Sequence, residues 1–144
     1  MKKTLAAVFL ILSLAAPAYG QPADYLEALK AAADQGNPSP LMEKGIGYYY
    51  GEGVRQDYVK AFEIFKYLAE AGQAPAQSAL GKMYDEGRGV PQDPAQAAFW
   101  LNKAAKQGFA RAQFHYGLAL EQGRGVAKNL PEAIKWYRKS AEQG

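Results

Sequence analysis

Few side chains in this chain are of the types that do covalent or acid–base chemistry, and their spacing closes most of the routes left. There is no cysteine, and one histidine, His115; beyond residue 20 there is no threonine, and serine occurs only at Ser39, Ser78 and Ser140. A β-lactam-type acyl transfer needs a serine with lysine three residues on, plus a Lys-Thr-Gly element. The residues at that spacing are Met42, Gly81 and Gln143, so that nucleophile has no base. Without cysteine there is no thiolate catalysis, disulfide framework or cysteine metal site. Metal and catalytic sites need convergent groups, and a lone His115 beside Tyr116 reads as a structural or solvated histidine. Asp85 and Glu121, in equivalent places 36 residues apart, read as solvated acids, because nothing marks them as a polarised acid–base pair. Gly51-Glu52-Gly53, Gly87-Arg88-Gly89 and Gly123-Arg124-Gly125 carry half of a dinucleotide loop. The third glycine of that pattern would fall at Gln56, Gln92 and Lys128, so the pairs read as turns. No catalytic residue, metal site or cofactor is expected.

Composition narrows the class further. The 144 residues are 49% hydrophobic and 22% charged, which suits one modest globular domain. The net charge of +3 comes from 17 basic and 14 acidic residues. Without Lys2 and Lys3 the balance is 15 against 14, or +1, which lends little support to a nucleic-acid or anionic-membrane partner.

Residues 1–20 read as an export signal. Lys2 and Lys3 start it, Leu5 to Ala16 forms an apolar run of twelve residues, and Ala18-Tyr19-Gly20 supplies small residues before Gln21. Ala16-Pro17-Ala18 offers a second cleavage point. Twelve residues make about 18 Å of helix, short of a hydrocarbon core of roughly 30 Å, which argues against the alternative of an uncleaved anchor. The expected mature chain is periplasmic or secreted, with no stable membrane insertion.

Self-comparison then supplies the architecture. Gly45, Gly81 and Gly117 are 36 apart, as are Gly51, Gly87 and Gly123, and Gly53, Gly89 and Gly125; Gly36, Gly72, Gly108 and Gly144 form a fourth series. Ala61, Ala97 and Ala133 repeat in the same phase, as do Asp57, Asp93 and Asn129. Three repeats follow, 38–73, 74–109 and 110–144, preceded by a half-repeat helix in 21–37.

Each repeat reads as two helices. In the second, Pro75 to Glu86 carries Leu80 and Tyr84 on one face, and Gly87 closes the helix by accepting a positive φ. Asp93 caps the next helix, with Pro94 at its first position, and Gly108 ends it. A glycine inside a helix costs about 1 kcal/mol relative to alanine. Gly45, Gly81 and Gly117 carry that cost in all three repeats, so a close helix–helix approach is expected there, with Gly81 opposite a small residue such as Ala97. A single hairpin cannot bury its own apolar face, so the hairpins must stack. The predicted fold is all-α, a right-handed α/α solenoid of helix-turn-helix repeats of 36 residues.

These residues resemble the Sel1-like repeat, a relative of the tetratricopeptide repeat. The second repeat carries the resemblance through Ala74, Ala76, Gln77, Leu80, Gly81, Tyr84, Gly87, Gly89, Val90, Asp93, Ala97, Trp100, Ala104, Ala105 and Gly108. The third departs at Tyr116 and Leu120, where the family prefers leucine and tyrosine, and the first opens with Pro38-Ser39-Pro40 and has Lys44 for the leucine. The resemblance implies an adaptor that holds proteins or peptides. Cysteine-rich relatives described as penicillin-binding or β-lactamase-like are set apart by their paired cysteines.

In tetratricopeptide repeats the first helices line a concave groove. Mapped from the shared glycine, the implied groove positions are Met42, Ile46, Tyr49 and Tyr50, then Ser78, Lys82, Asp85 and Glu86, then Arg111, Phe114, Leu118, Glu121 and Gln122. They do not repeat in type, as expected of positions that suit a ligand. The last helix, Glu132 to Gln143, has no polar helix after it, which leaves Trp136 and Tyr137 partly bare as a second docking or self-association surface. The preferred reading is an exported, non-catalytic scaffold for an unidentified protein or peptide. The alternatives are an envelope enzyme or regulator acting on cell-wall material, and a self-associating structural module.

Overall fold

The computed structural model describes residues 23–144, with side chains from Leu26 onward. The expected export signal, residues 1–20, lies outside the described residues. Within them all regular structure is α-helical: α1 Ala23–Asp34, α2 Ser39–Tyr50, α3 Tyr58–Glu70, α4 Ala74–Glu86, α5 Pro94–Lys106, α6 Ala110–Gln122 and α7 Leu130–Ala141.

The chain divides into two compact units, meeting between Glu43 and Lys44. The first holds α1 and the start of α2, and in it Leu29, Ala32 and Leu41 are buried. Gly36 takes a φ of 91°, and the Asn37 amide donates to the Ala32 carbonyl at 2.9 Å, closing α1. The second unit holds the rest of α2 and everything after it.

In the second unit the expected punctuation is realised. Asp57, Asp93 and Asn129 are the N-caps of α3, α5 and α7; their side chains accept from Lys60, from Ala95 and Gln96, and from Glu132, at 3.0–3.1 Å. Each thereby satisfies amides that the first helical turn leaves unpaired. Gly87 and Gly123 close α4 and α6 in the left-handed region, both at a φ of 66°. Helices α4 and α6 lack a side-chain cap. Their buried glutamines instead turn back on the preceding helix: Gln77 donates to the Ala69 carbonyl at 3.1 Å and Gln113 to the Ala105 carbonyl at 3.2 Å. These carbonyls belong to helix C-termini, where the regular i+4 helical donor is missing and the glutamine adds to the turn amides. Gln107 continues the chain by donating to Gln77 Oε1 at 2.8 Å and to the Gly72 carbonyl at 3.0 Å, and Gln143 repeats the step onto Gln113 at 2.8 Å.

Helix α4 packs on α5 and α6 on α7 as hairpins, while α3 against α4 and α5 against α6 join successive hairpins. The helical glycines sit where the hairpins close. A Cβ on Gly81 would stand 2.7 Å from Leu101 Cγ and 3.2 Å from the Ala97 carbonyl oxygen. On Gly117 it would meet Tyr137 Cε1 at 2.8 Å, and on Gly45, Phe65 Cε1 at 2.7 Å. The expected close approach is therefore present, with one correction. Gly81 does face Ala97, at its backbone carbonyl, but its missing side chain also makes room for the large side chain of Leu101. Ala61, Ala97 and Ala133 are all buried.

A second correction concerns Trp136 in the C-terminal helix; Tyr137 beside it is partly exposed, as expected. Trp136 is buried, with its ring 5.7 Å from that of Tyr116 in an edge-on arrangement, because the α6–α7 hairpin closes over it. The outer side of α7 carries Lys135, Arg138 and Lys139, and its exposed large apolar residues are Leu130 and Ile134.

Candidate binding groove

The side chains that flank each helical glycine sort into two stripes. Positions three before and four after the glycine share its face, because those offsets stack on one side of a helix. Those are Ser78 and Asp85 on α4, and Phe114 and Glu121 on α6. Tyr49 follows Gly45 in the same way on α2. Tyr49, Phe114 and Glu121 of this stripe lean toward the second helix of their own hairpins. Tyr49 is 5% exposed, its ring edge-on to Tyr58 at 5.3 Å and tilted against Phe65 at 6.5 Å. Ser78 is buried. Phe114 is 46% exposed but lies 5.6 Å from the Tyr137 ring, and Glu121 accepts from the Tyr137 hydroxyl. Tyr137 is accordingly pushed up to about 12, by desolvation first and then by that carboxylate.

The next stripe faces outward. It comprises Ile46 and Tyr50 on α2, Lys82 and Glu86 on α4, and Leu118 and Gln122 on α6. Ile46 is 38% exposed and Tyr50 56%. Met42, which belongs to the first unit, is half-buried there. Arg111 is exposed near the start of α6.

A cleft of about 210 Å³ opens between α4 and α6 and brings together Lys82, Asp85, Glu86, Leu118 and Gln122. Its floor is apolar, from Ala97 and Leu101 of α5. Two titratable residues outside the implied groove set also line it, His115 and Arg124. His115 lies three residues before Leu118, which places it on the groove stripe; that spacing was the signal available in the sequence. Burial first, then the cations Lys82 and Arg111, hold its imidazole below the ordinary value of 6.5, against the opposing pull of Asp85 and Glu86.

The turn arginines tie the stripes of successive repeats. Arg88 donates to the Tyr49 hydroxyl at 3.0 Å and its Nε pairs with Glu86 at 3.1 Å; the Tyr49 hydroxyl in turn donates to Glu86 at 3.0 Å. Tyr49 is pushed up to about 12, chiefly by desolvation and then by Glu86. One repeat on, Arg124 pairs with Asp85 at 3.1 Å and reaches its carbonyl at 3.4 Å. Tyr49 and Asp85 are equivalent positions, so the same reach-back is made twice with different acceptors. Asp85 and Glu121 do not form a carboxylate pair, since each is held by its own donor, Arg124 and Tyr137. Among the described residues no group of three or more His, Cys, Asp or Glu side chains is placed to hold a metal ion, and no helix is long and apolar enough to cross a membrane.

The spacing and the hairpins find their counterpart in known proteins. The Sel1 repeat family profile matches residues 45–73, 74–109 and 110–144. The crystal structure of c5321, a protective antigen present in uropathogenic Escherichia coli strains and displaying an SLR fold, is similar with a TM-score of 0.75 at 40% identity. That match covers 84% of this chain and 25% of the antigen, so the chain spans a quarter of its length. A Sel1 repeat protein from Oxalobacter formigenes is similar with a TM-score of 0.71 at 40% identity, covering 83% of this chain and 90% of that one. Helicobacter pylori cysteine rich protein B shares the fold at 23% identity and a TM-score of 0.64, over 83% of this chain and 90% of its own. Comparison with the curated proteins gave no match. With three successive matches covering most of the sequence, the chain belongs to the Sel1 repeat family, whose members are typically protein-interaction scaffolds.

Proposed function

We propose that the chain is an exported scaffold that holds a protein or peptide along the groove stripe of its first helices, without catalysing a reaction on it. Export rests on the sequence of residues 1–20, with its charged start, short apolar run and small residues before Gln21. The observation that carries the binding role is the contrast between two sets of positions in one repeat. The scaffold positions Gly81, Ala97 and their equivalents are buried and constant in type; Ile46, Tyr50, Lys82, Glu86, Leu118 and Gln122 face outward and change type from repeat to repeat. An exposed tyrosine and isoleucine beside a charged cleft fit an interface, where aromatic anchors and a few polar contacts carry most of the energy.

Site-specific photo-crosslinking tests the reading. A benzoyl-phenylalanine placed at Tyr50 or at Leu118 is expected to trap one discrete partner in cells, and the same group at Lys135, on the outer side of α7, is not. Adducts of equal yield at all three positions, or at Lys135 alone, would remove the groove from the account.

A further inference from the structure

We propose that the groove selects an acidic peptide segment, whose carboxylate is received by Lys82, Arg111 and His115 while an adjoining apolar side chain rests on Leu118 and Leu101. The proposal deepens the groove reading above and rests on it.

The argument is an accounting of charge. Every carboxylate along the groove already has a donor. Glu86 takes the Tyr49 hydroxyl at 3.0 Å and Arg88 at 3.1 Å. Asp85 takes Arg124 at 3.1 Å, and Glu121 takes the Tyr137 hydroxyl. The cations are not used up in the same way. Lys82 stands 3.9 Å from Oε1 of Glu86, a loose contact, while Tyr49 and Arg88 share Oε2 at 3.0–3.1 Å. Arg111 is exposed and forms no ion pair or hydrogen bond among the described residues. It lies one helical turn before His115, close enough that its charge acts on the imidazole. Lys82 and Arg124 line the cleft beside Asp85 and Glu86, and Arg111 adds a third permanent cation whose charge acts on His115.

Geometry limits the ligand. The cleft of about 210 Å³ has Lys82 and His115 on facing helices and apolar Ala97, Leu101 and Leu118 beneath. A carboxylate with an apolar neighbour matches that mixture in size and polarity. A nucleic-acid backbone would need cations spread along a track; this cleft holds Lys82, Arg124 and His115, in a chain whose sequence beyond residue 20 is close to neutral. An approaching carboxylate also stabilises the protonated form of His115, adding a third charged donor on binding.

Selection from a random twelve-residue phage-displayed peptide library on the full mature chain tests this. The expected result is enrichment of Asp and Glu over the naive library. Synthetic winners are expected to lose about fivefold in affinity with Lys82→Gln and with Arg111→Gln, and nothing with Lys135→Gln. Circular dichroism melting confirms that each variant is folded. Winners without acidic excess, or acidic winners indifferent to both groove variants, overturn the proposal. If such winners still depend on Leu118→Asp, the groove reading survives it. A library that yields no binder overturns both. A single-stranded oligonucleotide that binds as tightly as the peptides, and is lost with Lys82→Gln, overturns the choice of peptide.

Discussion

Gly125 lies directly against the carbonyl group of Pro94, with its own φ at 70°, so the turn of the last hairpin rests on the first residue of α5 in the hairpin before. Gly89 meets the Tyr58 carbonyl in the same way. The contact is backbone to backbone and leaves no room for a methyl group. Gly108, with a φ of 89°, has nothing within 4 Å of where a Cβ would stand. Both glycines take a positive φ, and alanine is penalised at each by about 1–2 kcal/mol. Gly125→Ala is expected to cost roughly 2 kcal/mol more than Gly108→Ala, as overpacking adds to the backbone term. Urea denaturation of the two variants gives the difference directly; equal losses would mean that the turn has slack.

Gly81 sets two opposed effects against each other. Alanine gains about 1 kcal/mol of helix propensity. Its Cβ would stand 2.7 Å from Leu101 Cγ and 3.2 Å from the Ala97 carbonyl. The steric term is expected to win, leaving Gly81→Ala less stable by about 1–2 kcal/mol and Gly81→Leu unable to close the middle hairpin. Leu101→Ala alone is destabilising, yet combining it with Gly81→Ala is expected to cost less than the two losses together. A strictly additive pair would argue that the helices do not meet there.

Tyr49→Phe keeps the ring packing on Tyr58 and Phe65 and deletes the hydroxyl shared by Glu86 and Arg88. The expected loss is about 1–2 kcal/mol, since hydrogen bonds to charged groups exceed neutral ones. Thermal melting checks it. Arg88→Gln in the Tyr49→Phe background is then expected to cost less than in the wild type, because the cation has already lost one partner.

His115 gives the fold a dependence on acidity. Its imidazole is held below 6.5 by burial and by Lys82 and Arg111, with Asp85 and Glu86 opposing. The unfolded chain then binds the proton more readily than the folded one, so stability rises with pH through this window. On acidification the loss begins as pH falls through 6.5 and stops growing below the folded value. His115→Gln is expected to flatten the melting temperature between pH 7.5 and pH 5 relative to wild type. A variant whose melting curve tracks the wild type at every pH would contradict the shift.

The interval of 36 residues made the helix pairs, their caps and the close approach at Gly81 readable in advance, because glycine, Asp93 and Pro94 have few other uses at those places. What Gly89 and Gly125 do was not readable. A turn glycine chosen for its φ alone, such as Gly108, and one pressed on a neighbouring backbone look alike in sequence. Tyr49 and Ser78 were assigned to the groove because offsets from Gly45 and Gly81 were counted without the tilt toward the partner helix. Tyr49 turns onto Phe65 and Tyr58, and Ser78 is buried. Trp136 read as bare because the coverage given by Tyr116 comes from a helix twenty residues away. His115 stood on the groove stripe, but a lone histidine carries no label for whether it faces lysine, carboxylate or water.

The glutamine relay has a consequence for how such a molecule changes length. Gln77 reaches the Ala69 carbonyl across the α3–α4 seam, and Gln113 reaches the Ala105 carbonyl across the α5–α6 seam. Each seam is therefore written in amide groups that read the same on either side. Duplicating or excising one whole hairpin would bring together edges already cut to fit. Lengthening the molecule by that step asks for no new recognition between neighbours, and leaves the outward-facing positions as the part free to acquire new specificity.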